Sequence, residues 1–290
     1  MKYDCIIIGS GPAGLSAALN LKLHNKEFLW FGQSDMSRKV RISEKIANYP
    51  GVPMVSGAEL NEIFQKQAQD MGIGINDQVV TQISYTGKGF MALAGNDIFE
   101  SKTIILATGA VSAKGFPGED RLLGSGVSYC ATCDGFLYKG KTVAAFIGDQ
   151  DYEHEVNYLA GLASKVYYFK GFKGDAESMP DNVELQDKPI REIRGGMRVE
   201  GITRTDGEEI PVDGVFILRN SVAPANLLHG LELDGPHIKV DRQCRTNIKG
   251  CFASGDCTGR PYQITKAVGE GNVAAHQVLD LLSEMEKEEK

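Results

Sequence analysis

The sequence has few cysteines, no long apolar run and no excess of positive charge, and each shortage excludes a class of protein. Six cysteines in 290 residues are too few for a disulfide-stabilised scaffold. No stretch approaches the roughly 20 apolar residues of a membrane-spanning helix, and the chain starts without an apolar signal segment. A net charge of -7 argues against a general nucleic-acid binder, because phosphate binding requires a basic surface. We therefore expect a cytoplasmic protein without membrane or nucleic-acid partners.

The N-terminal segment has the pattern of a dinucleotide-binding turn. A β-branched apolar run at residues 3–8 precedes Gly9, Gly11 and Gly14, spaced G-x-G-x-x-G, and a helical segment follows at residues 15–24. In such a turn the first glycine permits the bend, the second lets the backbone approach a pyrophosphate, and the third lets the helix pack on the strand. The N-terminus of the helix then holds the anion.

The acidic residue that usually grips a ribose about 20 positions after such a turn is displaced in this chain. After a second predicted strand at residues 27–31 come Gln33, Ser34 and Asp35. Either one of these three residues holds the ribose, or that contact is relaxed.

Cys130 and Cys133 form a C-x-x-C pair and carry the strongest chemical signal in the chain. Such a pair can open and close a small ring, and its geometry favours the thiolate form of one thiol. A zinc site normally needs a second pair or suitably spaced histidines; the sequence has neither, so we expect no metal. The remaining cysteines stand apart and are expected to be buried, inert thiols: Cys5, Cys244, Cys251 and Cys257.

Further strands are predicted where short apolar runs end at a glycine or an acid. They cover residues 103–109, 143–147, 165–169, 214–218 and 250–256, of which the first ends in a glycine turn and the last in an exposed acid. A C-terminal helix is expected over residues 271–285, with a charged end that frays. The alternation of strands and helices indicates parallel sheets.

Six motifs resemble, in order and spacing, those of the low-molecular-weight thioredoxin reductases. They are G-x-G-x-x-G at 9–14, N-Y-P-G at 48–51, A-T-G at 107–109, P-G-E at 117–119, C-A-T-C-D at 130–134 and F-A-S-G-D at 252–256. The resemblance covers nearly the whole chain. It implies an α/β protein with two Rossmann-like domains of the FAD/NAD(P)-binding type, the second inserted into the first. Residues 1–113 and 243–290 would form the FAD-binding domain, and residues 114–242 the inserted dithiol redox domain.

The resemblance also implies FAD as cofactor, a homodimer, and roles for individual residues. Cys133 would face the flavin, Cys130 would attack the disulfide of thioredoxin, and Asp134 would supply a proton to the leaving thiolate. Asp134 would also suit a helix N-cap, and for Asn48 and Gln263 a turn role is as suitable as a flavin contact. Asp256 would bind the ribityl chain. The residues expected to hold FAD are Gly9, Gly11, Pro12, Ala13, Gly14, Gln33, Asn48, Ala107, Thr108, Gly109, Gly255, Asp256, Gln263 and Ile264.

The chain departs from the family pattern where a second dinucleotide turn binds NADPH in most members. After the strand at 143–147 only the first glycine, Gly148, is present; Gln150 and Glu153 replace the residues that would allow close approach and close packing. Acids at positions 149, 151, 153 and 155 suit a helix N-terminus without an anion, and they repel a pyrophosphate. The next strand is followed by Lys170 and Lys173 but by no arginine fork. We expect a degenerate site and no use of a nicotinamide nucleotide.

The chain thus resembles the pyridine-nucleotide-independent branch of the family, and most of all the ferredoxin-dependent flavin thioredoxin reductases. Ferredoxins are acidic, so a basic docking surface is required. A segment that replaces the family's Gly-Gly-Gln near the flavin offers such a surface with Arg38, Lys39, Arg41 and Lys45. The alternative is that this segment is an ordinary solvated loop. Two other functions stay open. One is a redox-responsive binding module without turnover; the other is a diflavin enzyme with a second ring stacked on Tyr152, Tyr167, Tyr168 and Phe172.

Overall fold

The computed structural model describes residues 2–110, 115–176, 178–219 and 224–288 and divides into two compact units. Unit 1 comprises residues 1–113 and 223–290, and unit 2 comprises residues 114–222. The second boundary therefore lies earlier than the predicted 242/243. The reason is that residues after 223 pack with unit 1: Leu228 pairs with Ile83, and His237 Nε2 lies 2.7 Å from the Tyr262 hydroxyl.

Unit 1 is built on a mixed sheet with the strand order β2-β1-β5-β4-β3 and with β16 added on β5. Numbered along the whole chain, its strands are β1 (Lys2–Ile8), β2 (Phe28–Phe31), β3 (Val80–Tyr85), β4 (Phe90–Ala94), β5 (Asp97–Leu106) and β16 (Cys251–Ala253), with the small ribbon β14 (Leu233–Asp234) and β15 (His237–Ile238). Its helices are α1 (Pro12–Leu23), α2 (Arg38–Arg41), α3 (Gly57–Asp70), α7 (Pro224–Leu227) and α8 (Ile264–Glu288). Strands β1, β2, β5 and β16 are parallel, as predicted.

Unit 2 is built on a parallel sheet with the order β6-β13-β7-β8-β9. These strands are β6 (Val127–Ser128), β7 (Thr142–Ile147), β8 (Lys165–Lys170), β9 (Val183–Gln186) and β13 (Gly214–Leu218). A second, antiparallel sheet contains β10 (Ile190–Arg194), β11 (Gly201–Arg204) and β12 (Glu209–Pro211). The helices are α4 (Glu119–Leu122), α5 (Ala131–Asp134) and α6 (His154–Ala160). Both units thus have the Rossmann-like α/β character that the sequence predicted.

Helix α8 begins at Ile264 rather than at Gly271, so the predicted start was wrong. Gly271 lies inside the helix, where a Cβ would come within 2.1 Å of the Ala13 carbonyl oxygen. The glycine therefore serves the close packing of α8 on α1 and does not mark a helix end. Among the described ranges no helix is long and apolar enough to cross a bilayer.

Candidate active site

The turn between β1 and α1 leaves open space in front of one glycine and none at the other two. Gly9 has a φ of +113° and a Cβ there would lie 2.1 Å from the Ala107 carbonyl oxygen. A Cβ at Gly14 would lie 1.9 Å from the Gly9 carbonyl oxygen, which also accepts a 2.9 Å hydrogen bond from Trp30 Nε1. At Gly11, by contrast, a Cβ would meet nothing within 4 Å. The turn is tightly fixed and still leaves room for a ligand.

The N-terminus of α1 faces this space with the charge that an anion requires. The helix is 12 residues long, Gly11 caps it without a side-chain hydrogen bond, Pro12 occupies its first turn, and no acid lies in that turn. Such an end offers unpaired N–H groups and a partial positive charge, which suit a pyrophosphate. The residues of this chain therefore fit the diphosphate of FAD.

The other predicted FAD residues lie at the same edge of the sheet in unit 1. Parallel strands end at a common edge, so residues 107–109 after β5 and 254–256 after β16 lie beside the turn after β1. Gly109 has a φ of +75° and open space at its Cβ position. Gln33 follows β2 at this edge, and the neighbouring Asp35 carboxylate forms an ion pair with Arg41.

Asn48 and Gln263, which were placed by motif alone, lie together in the structure. Asn48 Nδ2 donates to Gln263 Oε1 at 2.8 Å, and Ile264 follows as the first residue of α8. Asp256 Oδ2 lies 2.5 Å from Lys39 Nζ, with the Asp256 side chain 14% exposed. Residues from two distant segments therefore meet where the ribityl and ring contacts are expected.

Two groups at this edge were missed by the sequence reasoning. The first is Lys266, which donates to the Gly255 carbonyl at 2.7 Å and to the Gly259 carbonyl at 2.9 Å. Its ammonium also pairs with Glu270 Oε2 at 3.0 Å, and that oxygen accepts the Gly255 N–H at 2.9 Å. This pair fixes the backbone on both sides of Asp256. A Lys and Glu spaced i, i+4 in a helix were a visible signal.

The second missed group surrounds the Tyr262 ring. Lys39 Nζ lies 4.7 Å and the Arg260 guanidinium 5.4 Å from the ring centroid. His237 Nε2 lies 2.7 Å from the Tyr262 hydroxyl. A cation over an aromatic face is stabilised by the ring quadrupole. Two cations are thereby held at the Tyr262 ring, and only one of them, Lys39, was in the predicted basic segment.

The dithiol lies at the start of the short helix α5 in unit 2. Cys130 is disulfide-bonded, while the side chains of Cys133 and Asp151 lie outside what the structure describes. The Ser128 hydroxyl donates to Asp134 Oδ2 at 2.6 Å and accepts the Cys130 N–H at 3.1 Å. Asp134 makes no capping hydrogen bond to the turn that follows. Its carboxylate is therefore held by Ser128 next to the dithiol and is not used as a cap.

Glu119, the acid of the P-G-E motif, anchors the strand that leads to the dithiol. The residue has no exposed surface, and its Oε1 accepts from the Tyr129 hydroxyl at 2.8 Å. The same oxygen pairs with the Arg219 guanidinium, and Oε2 accepts the Phe116 N–H at 2.7 Å. A buried carboxylate needs such donors, so the motif fixes the position of the residue just before Cys130.

The turn after β7 differs from the turn after β1 in both backbone and side chains. A 3-10 turn covers Gln150–Tyr152 and α6 starts only at His154. Glu153 is 1% exposed, and its Oε1 accepts the Tyr168 hydroxyl at 2.7 Å. Glu153 was expected to add charge at a helix terminus, but its carboxyl group points into the core.

The aromatic residues near this turn belong mainly to the core. Tyr168 is fully buried, and Tyr152 and Phe172 pack against the same apolar cluster. They are therefore poorly placed for the stacking on a second flavin that the diflavin alternative requires. Lys170 donates to the Gly174 carbonyl and lies 5.4 Å from the Phe172 ring, so it is engaged within its own loop.

The isolated cysteines are buried and free, as predicted. Burial raises the pKa of Cys5, Cys244 and Cys251 to about 12 and that of Cys257 to about 11. Thiols with such pKa values stay protonated at neutral pH and are not nucleophiles. Within the part of the chain that the structure describes, no three metal-ligating side chains form a group.

Comparison with known proteins decides the family. Residues 3–148 and 178–271 match the model of the pyridine nucleotide-disulphide oxidoreductases. The chain belongs to this family. A thioredoxin reductase of Aquifex aeolicus is 37% identical over 88% of this chain and 85% of its own length. A solved ferredoxin-flavin thioredoxin reductase of Clostridium acetobutylicum is 42% identical, covers 99% of each chain and has a TM-score of 0.92. A second solved structure under that name is 45% identical over 97% of this chain and 98% of its own, with a TM-score of 0.81.

As a pyridine nucleotide-disulphide oxidoreductase, the protein is a flavoprotein disulfide reductase of the thioredoxin reductase type, with FAD as its cofactor. Bound FAD supplies the transfer of reducing equivalents to a disulfide. The chain contributes an anion-binding helix end, a polar edge around Asp256 and a disulfide at Cys130. Thiol–disulfide exchange needs a thiolate and an acid for the leaving sulfur, and the Asp134 carboxyl group is held near Cys130 by Ser128.

Proposed function

We propose that this protein reduces thioredoxin with electrons from reduced ferredoxin, through FAD and the Cys130/Cys133 dithiol, and without NADPH. The observation that carries the proposal is Glu153. A small residue at this position lets the helix pack closely on the strand of a dinucleotide-binding turn. Here the position holds a glutamate whose buried carboxyl group accepts a hydrogen bond from the Tyr168 hydroxyl.

The charge around this turn also disfavours a nucleotide. Asp149 and Glu155 add acidic groups to the segment, and the anion-binding features found at α1 are missing at α6. The N-cap of α6 is Glu153 itself, and Glu155 lies in the first turn. A pyrophosphate there would meet negative charge, which opposes binding. The contrast between the two turns supports a single dinucleotide, FAD, per chain.

The donor side of the proposal rests on two cations at the Tyr262 ring, of which Lys39 also pairs with Asp256. Lys39, with a 62% exposed side chain, and the exposed Arg260 lie at the Tyr262 ring, and the exposed Lys45 belongs to the predicted basic segment. Positive charge beside the flavin edge would steer an acidic electron carrier to that edge. The similarity to two structures named ferredoxin-flavin thioredoxin reductase points the same way.

On the acceptor side, a thiolate of the reduced dithiol, that of Cys130, attacks the disulfide of thioredoxin. One S–S bond of thioredoxin breaks, a mixed disulfide forms, and the leaving sulfur takes a proton from Asp134. Cys133 then attacks the mixed disulfide, which releases dithiol thioredoxin and restores the enzyme disulfide. The enzyme is proposed to be a homodimer, and light scattering of the FAD-loaded protein measures that state directly.

An anaerobic assay of thioredoxin reduction tests the proposal. The purified flavoenzyme is mixed with oxidised thioredoxin and either chemically reduced ferredoxin, NADPH or NADH, and new thioredoxin thiols are counted. We expect turnover with reduced ferredoxin alone, and none with ferredoxin in the Cys130→Ser variant. One flavin per chain is expected; two would favour the diflavin alternative. Absence of turnover with any donor would leave a binding module as the better explanation.

A further inference from the structure

The carboxyl group of Glu155 reaches out of the remodelled turn to the dithiol helix. Glu155 is the second residue of α6, and its Oε2 accepts the backbone N–H of Ala131 at 3.3 Å. Ala131 directly follows Cys130 and is the first residue of α5. The segment that would bind a nucleotide in an intact second turn is thus in contact with the redox-active one.

We propose that Glu155 is a positioning residue for the dithiol, and that its negative charge, held on the Ala131 N–H, controls how readily the reduced Cys130 pair forms its thiolate. Backbone N–H groups at the start of a helix normally stabilise a thiolate placed there. A carboxylate that accepts one of these N–H groups competes for the same donor. It also places a negative charge on the residue that follows Cys130, and a like charge near a thiol disfavours its thiolate.

The surroundings of Glu155 give its carboxyl group a charge that can change. Burial raises the pKa of Glu155, whereas the charge of His154 and the hydrogen bond from Ala131 act against that rise. The acid on α5 itself is Asp134, whose carboxyl group accepts a hydrogen bond from Ser128. In the 3-10 turn before α6, the Glu153 carboxyl group points away, to Tyr168. Glu155 is therefore the carboxylate that accepts the hydrogen bond from the Ala131 N–H.

The proton balance of the catalytic cycle explains why this charge matters. Reduction breaks the S–S bond with two electrons, and two protons from solvent give two thiols. One thiol must release its proton before it attacks a substrate disulfide. With Glu155 ionised, this proton release occurs at a higher pH. With Glu155 neutral, the negative charge that opposes the thiolate is gone, and the release occurs at a lower pH.

The charge can be separated from the hydrogen bond by substitution. Glu155→Gln keeps an oxygen acceptor and nearly the same shape but removes the charge. Glu155→Ala removes both, and Glu155→Asp keeps the charge. Glu208→Gln is a matched control, because Glu208 is an exposed acid of the same unit. Since dithiothreitol reduces the protein in this test, the inference rests only on the disulfide chemistry and not on ferredoxin.

The measurement is the alkylation rate of Cys130 in the reduced protein as a function of pH, followed by peptide mass spectrometry. We expect Glu155→Gln and Glu155→Ala to lower the midpoint of the profile by about one pH unit, the size of an interaction between near charges in a partly buried site. Glu155→Asp and Glu208→Gln should keep the wild-type midpoint. A Glu155→Gln profile that overlays the wild type, with only Glu155→Ala altered, would reduce Glu155 to a structural hydrogen-bond acceptor and overturn the inference. If Glu155→Gln fails to fold, an Ala profile at or above the wild-type midpoint overturns it equally.

Discussion

The strongest structural contrast within the FAD-binding turn is that between Gly11 and Gly14, and it predicts two different defects for the same substitution. In Gly14→Ala the new Cβ would lie 1.9 Å from the Gly9 carbonyl oxygen, so strand and helix must separate by about 1.5 Å to reach ordinary contact. Overpacking of this kind costs about 1–3 kcal/mol. In Gly11→Ala the Cβ meets nothing within 4 Å, and the backbone at φ -75° suits alanine.

Both variants are compared as apoproteins and after titration with FAD. Gly14→Ala should lower the apoprotein Tm by roughly 2–4 °C for each kcal/mol lost. Gly11→Ala should leave the apoprotein Tm unchanged or slightly raised, since alanine restricts the unfolded chain. Its Cβ would occupy the place of the pyrophosphate, so its FAD affinity should fall at least tenfold, which is about 1.4 kcal/mol. Wild-type FAD affinity in Gly11→Ala, or equal destabilisation of both apoproteins, would refute this account of the turn.

Three further predictions concern unit 2 and the donor surface. Arg219→Met leaves Glu119 buried without its cation and should lower the free energy of unfolding, measured in urea, by about 3–5 kcal/mol. The double variant with Glu119→Gln should recover most of this loss. A loss below about 1 kcal/mol for Arg219→Met would contradict the role of the pair. Arg260→Glu should raise the KM for ferredoxin and make that KM less dependent on salt. The control variant Lys88→Glu, in the exposed turn between β3 and β4, should change neither property. Equal effects of the two variants would show that Arg260 is not part of the docking surface. Burial raises the pKa of Glu155 in the folded state, so protonation of Glu155 favours folding. The stability of the wild type therefore falls as the pH rises from the ordinary pKa of 4.5 through the raised pKa. Glu155→Gln should have a higher Tm than wild type above this pH window and the same Tm below it, and parallel Tm curves would count against a raised pKa.

Local patterns in the sequence predicted the parts of the fold that depend on neighbouring residues. The strand, turn and helix around Gly9 and Gly11 follow from short-range sterics, and the structure has all three, with the helix beginning at Pro12, three residues before the predicted start. The buried state of Cys5 and Cys251 likewise follows from the apolar runs around them. In these cases residues close in sequence determine the outcome.

Predictions that depended on distant contacts were less complete. Gly271 resembled a helix start in sequence, but its real partner is Ala13 on α1, which no local pattern reveals. The pairing of Lys39 with Asp256 likewise joins segments more than two hundred positions apart. Glu153 was expected to place its charge at a helix N-terminus, because its buried partner, Tyr168, comes from the next strand and is not evident from the local sequence. Each of these features requires the folded chain.

The central claim is that the flavin is reduced by ferredoxin and not by a nicotinamide nucleotide. Anaerobic stopped-flow mixing of the oxidised flavoenzyme with NADPH, NADH or reduced ferredoxin, followed by flavin absorbance, tests it most directly. The acidic turn around Glu153 predicts rapid bleaching with reduced ferredoxin and no bleaching with either nucleotide on the same timescale. Rapid bleaching by NADPH or NADH would contradict the account.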